Sequence, residues 1–244
     1  LVWSDEFDVN GLPDTTKWSY DYGDGCPNLC GWGNDEKQFF TKNRMENARV
    51  EDGKLVIEAH KENFKNSKYT SSRMTTKEKG DWLYGKIEIR AKLPTGVGSW
   101  PAIWMLSTDW KYGGWPESGE IDIMEHVGHA QDTVLGTIHT AAYNHSIGTH
   151  KGESIVVDNA STEFHTYSIE WTEDEMKWFV DDKQYFQIEN ENKTFAEWPF
   201  DKRFYLILNV SVGGMLGGIK GIDDSIFPQQ MVVDYVRVYQ KMND

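Results

Sequence analysis

Three carboxylates crowd into one six-residue segment of the chain, Glu120-Ile-Asp-Ile-Met-Glu125. Two carboxyl groups about 5–5.5 Å apart can hydrolyse a glycosidic bond with retention of configuration. One attacks the anomeric carbon, and the other protonates the leaving oxygen and later deprotonates water. Folding gains nothing from like charges this close together, so a chemical role is indicated. Asp122 would hydrogen-bond to a glutamate and help partition the protons, and the titration would belong to the whole cluster.

The spacing of these carboxylates also makes a structural prediction. On a β-strand alternate side chains share a face, so Glu120 and Asp122 point the same way while the isoleucines after each of them point into the core. Strict alternation would turn Glu125 inward, and burying a carboxylate among apolar side chains is costly. One extra residue, a β-bulge at Met124, returns Glu125 to the polar face. We therefore predict a bulge here.

Two other interpretations of the acidic segment stay open. It could be a solvated strand edge, or it could bind a metal ion together with the nearby histidines. The spacing His-Glu-x-x-His, which is typical of one class of zinc site, is absent. The histidines in question are His126, His129 and His139. His139 is expected on the next strand, where it either fills an ordinary polar role or bonds a sugar hydroxyl or the carboxylates.

Composition narrows the class of partner. The 244 residues include 25 basic and 39 acidic side chains, a net charge of −14. Such a chain is repelled by nucleic-acid phosphates, anionic lipids and polyanionic substrates. It has 11 Trp, 11 Tyr and 11 Phe, which we divide between an aromatic core and a cleft where indoles stack on sugar rings. No run of about 18 apolar residues is found, so we expect no membrane span.

Hydrophobic periodicity is mostly two residues, as expected for strands. Gly85–Leu93, Lys54–Ala59 and Thr166–Trp171 alternate, and Met176–Val180 with Gln184–Ile188 reads as a hairpin. Long periodic helices, repeats and linkers are absent. We predict one all-β domain over residues 1–244, a jelly-roll β-sandwich of two curved antiparallel sheets with a substrate cleft on the concave face.

Cys26 and Cys30 lie in a loop rich in Gly, Pro and Asn. A disulfide there would suit a secreted protein, whereas zinc is disfavoured because no second pair of Cys or His at ligand spacing exists. The sequence leaves the pairing open. The chain begins LVWSDEFD without a basic region followed by an apolar run, so either the protein is cytosolic or a signal peptide has been removed.

The acidic segment, preceded by Trp115-Pro-x-x-Gly, resembles the active-site strand of glycoside hydrolase family 16. The pattern Glu-x-Asp-x-x-Glu with its bulge is that of the laminarinase (endo-β-1,3-glucanase) branch. The family fold is a β-jelly roll with an open cleft. Further matching segments occur in order along nearly the whole chain: Trp3–Phe7, Gly31–Glu36, Glu46–Val50, Asp52–Glu58, Tyr84–Ala91, Ser99–Leu106 and Val233–Tyr239.

The resemblance implies a role for individual residues. Glu120 matches the nucleophile, Asp122 the assisting carboxylate and Glu125 the acid/base. Trp115 matches an indole under the sugar on the non-reducing side of the cut. The other substrate-binding matches are Asn34 and Arg73 in further non-reducing subsites, Trp100 and Trp104 as cleft aromatics with Trp100 the ligand-facing one, His139 near the leaving group and, more weakly, Asn209.

The resemblance also implies a structural calcium ion away from the chemistry, and no cofactor for catalysis. The matching positions are Glu6, the backbone carbonyl of Gly53, and Asp234. All three supply oxygen, as calcium requires. The alternative is an ordinary surface role for the two carboxylates.

We therefore expect a secreted, monomeric, retaining endo-β-1,3-glucanase that acts on laminarin-type glucan and also on mixed-linkage β-1,3/1,4-glucan. One alternative within the family is specificity for another polysaccharide: lichenan, or a sulfated galactan of the agar or porphyran type, which would want a basic cleft. A non-catalytic β-glucan-recognition module should lack one of the carboxylates, and all are present. A transglycosylase remains open because sugar can intercept the same covalent intermediate as water.

Overall fold

The computed structural model describes residues 1–241 and is built almost entirely from strands. Its helical parts are short: α1 (Gly214–Gly217) and 3₁₀ turns at Cys30–Gly33, His145–Ile147 and Asp224–Ile226. The prediction of an all-β chain is confirmed. The strands are β1 (Trp3–Asp5), β2 (Ser19–Asp21), β3 (Gln38–Thr41), β4 (Ala48–Glu51), β5 (Lys54–Phe64), β6 (Ser67–Thr75), β7 (Gly85–Lys92), β8 (Ser99–Ser107), β9 (Glu120–His126), β10 (Thr133–His139), β11 (Lys151–Val156), β12 (His165–Trp171), β13 (Glu175–Val180), β14 (Lys183–Glu189), β15 (Phe204–Val212) and β16 (Gln229–Tyr239).

The strands form two sheets that continue into each other. The cleft sheet has the order β11-β10-β9-β8-β15-β6, with β2 beside β6. The outer sheet has the order β5-β16-β7-β12-β13-β14, with β4 beside β5 and β1 beside β16. The first half of β5 pairs with β16 and its second half pairs with β6, so this strand carries the chain from one sheet to the other. The result is a nearly closed, curved jelly-roll sandwich.

The core lies between the two sheets and explains the sequence patterns. In β7, Ile87, Ile89 and Ala91 are fully buried while the residues between them are only partly buried. β15 is buried throughout, because one of its faces packs in the core and the other lies under the cleft. Five of the eleven indoles are 7% exposed or less, namely Trp18, Trp82, Trp171, Trp178 and Trp198. The division of aromatic residues between core and cleft is therefore observed.

The structure shows the predicted hairpin and the state of the two cysteines. The predicted hairpin is present as β13 and β14, joined through a turn at Asp181 and Asp182. Cys26 and Cys30 form a disulfide, which decides the pairing that the sequence left open. Across residues 1–241, no helix is both long enough and apolar enough to cross a lipid bilayer.

Candidate active site

The β-bulge in β9 brings three carboxylates onto one face of the cleft sheet. Glu125 pairs with Leu135 of β10, and the next pair joins Asp122 to Thr137. β9 therefore has two residues, 123 and 124, where β10 has one. Both are buried in the core, while the three carboxylates line the cleft. The predicted bulge is confirmed, and its physical reason is the one expected: it lets β9 bury two apolar side chains in succession without burying Glu125 among them.

The bulge is supported from the opposite sheet by a residue that the sequence did not indicate. The indole Nε1 of Trp178, on β13, donates a hydrogen bond of 2.8 Å across the core to the backbone carbonyl of Asp122. Opposite the bulge stands Gly136, where a Cβ atom would come 2.7 Å from the Trp178 ring and 2.5 Å from the Tyr185 hydroxyl. A lone glycine within a strand often marks a place where another group approaches the backbone closely, and Gly136 is such a glycine in the sequence.

Each of the two glutamates receives a hydrogen bond from its own indole. Trp115 Nε1 donates to Glu120 Oε2 at 2.8 Å, and Trp100 Nε1 donates to Glu125 Oε1 at 3.0 Å. Trp115 precedes β9 and is 37% exposed, which leaves its ring available to a ligand. Trp100 lies on the neighbouring strand β8. A donated hydrogen bond favours the charged form of a carboxyl group, so both indoles act on protonation as well as on position.

Burial raises the pKa values of all three carboxyl groups. It raises the pKa of Glu120 to about 8, with the charge of Asp122 as the second cause. Burial also raises the pKa of Asp122, with the Glu125 charge adding to it. For Glu125 burial raises the pKa, while the hydrogen bond from Trp100 lowers it. Because the three groups lie so close together, they titrate as one cluster, and burial favours its protonated forms.

His139, the last residue of β10, faces this cluster. Its Nε2 atom lies 3.4 Å from Asp122 Oδ2 and 3.8 Å from Glu120 Oε1. Its ring lies 5.9 Å from the Trp115 ring and 5.1 Å from that of His145, between centroids. The expectation that His139 lies on the strand next to the acidic segment is confirmed.

Of the two other histidines in the metal interpretation, His126 comes directly after Glu125 and is turned away from the carboxylates. His126 is fully buried, and neither ring nitrogen has a hydrogen-bond partner within the described part of the chain. Burial lowers the pKa of His126 to about 4, so the ring is neutral. Side chains alternate between the two faces again after the bulge. Glu125 occupies the cleft side, so the next residue, His126, lies on the core side.

Arg73 lies on β6, three strands from β9 in the cleft sheet, and its guanidinium contacts two indoles. Its guanidinium lies 4.8 Å from the ring of Trp32 and 4.6 Å from that of Trp104. Arg73 Nε also faces Asp21 at 2.9 Å. Trp104 in turn donates from Nε1 to Asn209 Oδ1 at 2.7 Å. One face of Trp104 is thus covered by arginine, which agrees with the expectation that Trp100 is the ligand-facing indole of the two.

Glu36 is a half-buried acid of the cleft that sequence reasoning missed. Its Oε2 atom accepts hydrogen bonds from Gln38 Nε2 at 2.6 Å and from Ser211 Oγ at 2.7 Å. Ser211 Oγ accepts from Asn209 Nδ2 at 3.0 Å, so a continuous network joins Glu36 to Trp104. Burial raises the pKa of Glu36. Glu36 ends the segment Gly31-Trp-Gly-Asn-Asp-Glu36, which the sequence analysis identified as resembling the family. Within that segment the resemblance gave a role to Asn34 alone.

The structure therefore gathers the sequence-predicted site into one place. Asn34, Arg73, Trp100 and Trp104 line the same cleft as the three carboxylates, and Trp115 and His139 contact Glu120 or lie within 4 Å of it. Asn209 lines the cleft as well. The cleft residues added by the structure are Trp32, Glu36, Ala102 and Ser211.

The three predicted calcium positions are neighbours along the edges of β16. Where β1 pairs with β16, position 5, just before Glu6, lies opposite position 236, two residues beyond Asp234. Where β5 pairs with β16, position 55, two residues beyond Gly53, lies opposite position 233, just before Asp234. Gly53 has a φ of +70° in the turn between β4 and β5, where glycine is favoured. The backbone thus brings three oxygen-bearing positions together.

The two carboxylates at these positions are paired with cations of the protein. Both Glu6 oxygens accept from Arg237, at 2.9 and 2.8 Å, and the pairing lowers the pKa of Glu6. Asp234 is bonded by Arg90 and lies 3.9 Å from Lys54 Nζ. The donor chemistry suits Ca²⁺, which would take the place of these guanidinium partners.

Comparison with known proteins gives this cleft a family. Residues 35–237 match the family model described as glycosyl hydrolases family 16. The chain belongs to glycoside hydrolase family 16. The match includes the bulged strand β9, so the family assignment and the geometry of the carboxylates concern the same part of the molecule.

Family 16 relatives match over nearly the full chain. A beta-glucanase of Rhodothermus marinus is 55% identical over 98% of this chain and 85% of its own length. The X-ray structure of the laminarinase from Rhodothermus marinus has a TM-score of 0.96, with 54% identity over 100% of this chain and 98% of that one. SCLam, described as a non-specific endo-β-1,3(4)-glucanase from family GH16, has a TM-score of 0.93, with 48% identity over 99% and 91% of the two chains.

Proposed function

We propose that this family 16 protein is a retaining endo-β-1,3-glucanase that cleaves laminarin-type glucans. The observation that carries the proposal is the bulged strand β9, whose two glutamates share one cleft face and each accept an indole hydrogen bond. The similarity to a laminarinase along the whole chain supports the substrate class.

In the proposed mechanism Glu120 is the nucleophile and Glu125 the acid/base. The Glu120 carboxylate attacks the anomeric carbon while Glu125 gives its proton to the glycosidic oxygen, which leaves with the bonding electron pair. Water then attacks the anomeric carbon of the glycosyl-enzyme, and Glu125 takes its proton. The bond to Glu120 breaks, and the sugar is released with its β configuration retained.

Asp122 and His139 complete the proposed site without forming bonds to the sugar. Asp122 lies between the two glutamates on the same face of β9, and its charge helps to keep a proton on the cluster. His139 faces Asp122 and Glu120 from β10, where it can orient them or meet the leaving group. Asp122 is thereby the assisting carboxylate of the proposal.

The proposed substrate path runs from Trp115 to Arg73. The exposed ring of Trp115 is available to stack under a sugar next to Glu120. Arg73, held between two indoles, presents hydrogen-bond donors to more distant sugars, and Asn34 lines the same region. These groups bind neutral hydroxyls, as a glucan requires.

We also propose activity on mixed-linkage β-1,3/1,4-glucan. SCLam, a relative at 48% identity, is described as a non-specific endo-β-1,3(4)-glucanase. Sulfated galactans are disfavoured because Arg73 is the one basic side chain among the cleft-lining residues in the described part of the chain, and the net charge is −14. A recognition module without activity is disfavoured because all three carboxylates are present.

Product analysis tests the reaction. Purified protein is given laminarin and mixed-linkage β-glucan in parallel, and proton NMR follows the freshly released anomer. Short oligosaccharides appearing first as the β-anomer support a retaining endo-enzyme, and the relative rates measure linkage preference. Release of the α-anomer first, or release of glucose alone, would contradict the proposal.

Azide rescue tests the two glutamate roles separately. With an activated aryl β-glucoside oligosaccharide, Glu120→Ala should lose turnover, and added azide should yield an α-glycosyl azide. Glu125→Ala should form the glycosyl-enzyme and yield a β-glycosyl azide. Products of opposite configuration in the two variants would show that the roles are exchanged.

We propose further that Glu6, the Gly53 carbonyl and Asp234 hold a structural Ca²⁺ ion. Such an ion would tie the first strand to the last and stabilise the fold by linkage, by about 2.7 kcal/mol at a free concentration a hundred times its Kd. The test is thermal unfolding in excess calcium against excess chelator. The wild type should unfold at a lower temperature in chelator, and Asp234→Asn should show no difference. An equal response of Asp234→Asn would refute this site.

The substrate and the disulfide both bear on where the protein works. A polysaccharide substrate is met outside the cell, and a disulfide between Cys26 and Cys30 suits an oxidising compartment. We propose a secreted monomer. Glucanase activity confined to washed cells, or a light-scattering mass well above 28.1 kDa, would contradict it.

A further inference from the structure

Three ligating atoms of the cleft face one another closely. One atom from each of His139, Asp122 and Glu120 that could bind a metal ion lies within 4.8 Å of the other two. His139 Nε2 is 3.4 Å from the Asp122 oxygen and 3.8 Å from the Glu120 oxygen. The set consists of one nitrogen and two anionic oxygens, which is a donor set that divalent transition metals bind.

One of these atoms is buried and has no partner. Asp122 is 3% exposed, and its Oδ2 atom accepts no hydrogen bond from the side chains or backbone of residues 1–241. His139 is 6% exposed, and its Nδ1 atom likewise has no partner in that part of the chain. A buried carboxylate oxygen without a donor is costly. Asp122 Oδ2 is aimed at His139 Nε2, so both point into the same space.

The spacing suits a tetrahedral ion. Zinc binds imidazole nitrogen and carboxylate oxygen at about 2.0–2.2 Å, which places tetrahedral ligands about 3.3–3.6 Å apart. The 3.4 Å between His139 Nε2 and the Asp122 oxygen lies in this range, and the Glu120 oxygen, at 3.8 Å, needs only a small side-chain movement to reach it. Magnesium and calcium favour all-oxygen sites with more ligands, so the histidine selects against them.

We propose that Glu120, Asp122 and His139 form a binding site for one Zn²⁺ ion, which occupies the cleft and inhibits the enzyme reversibly. The ion takes one ligand from each residue and leaves its fourth position to water. With an oxygen of Glu120 bound to zinc, the nucleophile is withdrawn and the space for the reacting sugar is filled. Only this inhibitory consequence rests on the proposed function; the binding itself does not.

The two rim histidines distinguish this site from a general affinity of the surface for metals. The rings of His145 and His150 lie 5.1 and 6.0 Å from that of His139. Their ring nitrogens are not among the atoms that meet within 4.8 Å. The structure therefore assigns the ion to the carboxylate side of His139 and not to the imidazole group at the rim.

Calorimetry with zinc alone tests the site. Protein without a histidine tag is titrated with Zn²⁺ at fixed neutral pH and in excess Ca²⁺, which fills sites for hard cations. The wild type should bind one ion, and His139→Gln and Asp122→Asn should each weaken binding at least tenfold. His60→Gln is the matched control, because His60 faces a single carboxylate, Glu58, at 3.2 Å on the remote strand β5. It should bind zinc like the wild type.

A spectroscopic measurement on the wild type tests the site independently of whether the variants fold. Co²⁺ in a four-coordinate site absorbs visible light far more strongly than six-coordinate Co²⁺, so strong absorption that excess Zn²⁺ abolishes supports the assigned geometry. Undetectable binding by the wild type, weak six-coordinate absorption, or unchanged affinity in folded His139→Gln would overturn the site. Glucan cleavage without zinc binding refutes the zinc site alone, whereas zinc binding at His139 without cleavage refutes the proposed function alone.

Discussion

The indole N–H of Trp100 donates a 3.0 Å hydrogen bond to Glu125 from the neighbouring strand of the cleft sheet. Trp115 makes the corresponding bond to Glu120, at 2.8 Å, from the segment that precedes β9. The two carboxyl groups of the proposed mechanism thus have separate donors, held by different parts of the chain. Each donor favours the ionised form of its partner, so each pKa can be tuned by a different residue.

Trp100→Phe should move the alkaline limb of the pH profile to higher pH. Glu125 must be protonated to act as the acid, and the bond from Trp100 lowers its pKa. Without the N–H group this pKa rises, so activity persists to higher pH, by up to about one unit. The measurement is kcat/KM against pH. Trp104→Phe, which removes a cleft N–H that serves Asn209, is the control and should leave both limbs in place.

Gly217→Ala should act in the same direction through Trp100. The short helix α1 lies on this indole, and a Cβ at position 217 would come 2.7 Å from the Cβ of Trp100. The ring must then shift, which weakens its bond to Glu125. We expect a lower kcat/KM and an alkaline limb moved to higher pH. Met215→Ala changes an exposed side chain of the same helix and should show neither effect; a limb that stays in place in Gly217→Ala would contradict the argument.

Asp122→Asn should move the acidic limb to lower pH. Glu120 must be ionised to attack, and the charge of Asp122 is the second cause of its raised pKa. Removing that charge lowers the pKa of Glu120, so the nucleophile stays ionised at more acidic pH. The rate at the optimum should also fall, since the assisting carboxylate is lost. An acidic limb that stays in place or rises would count against the assigned coupling.

Arg73→Lys should weaken substrate binding more than catalysis. The flat guanidinium fits between Trp32 and Trp104, and an ammonium group cannot reproduce that stacking. We expect KM for laminarin to rise about tenfold, which corresponds to about 1.4 kcal/mol, with kcat and both pH limbs nearly unchanged. Steady-state kinetics on long and short laminari-oligosaccharides would measure it, and a fall in kcat alone would place Arg73 closer to the reaction than proposed.

The local sequence predicted the form of the carboxylate-bearing strand β9 well, because that form depends on residues close together in the chain. Alternation of side chains and the cost of burying a carboxylate sufficed to place a bulge before Glu125, and the structure has it. The strand periodicity likewise indicated an all-β sandwich. These features depend on residues a few positions apart. Over that distance, the geometry of a strand determines to which face each side chain points.

Tertiary structure alone decided which distant side chains meet. Glu36 receives its hydrogen bond from Ser211, 175 residues away, and Trp178 supports the bulge from the opposite sheet, 56 residues from Asp122. Strand order and the thickness of the core determine such contacts, and no local pattern encodes them. The orientation of His139 toward Asp122 is of the same kind, because side-chain rotamers are selected by packing against elements from the whole chain.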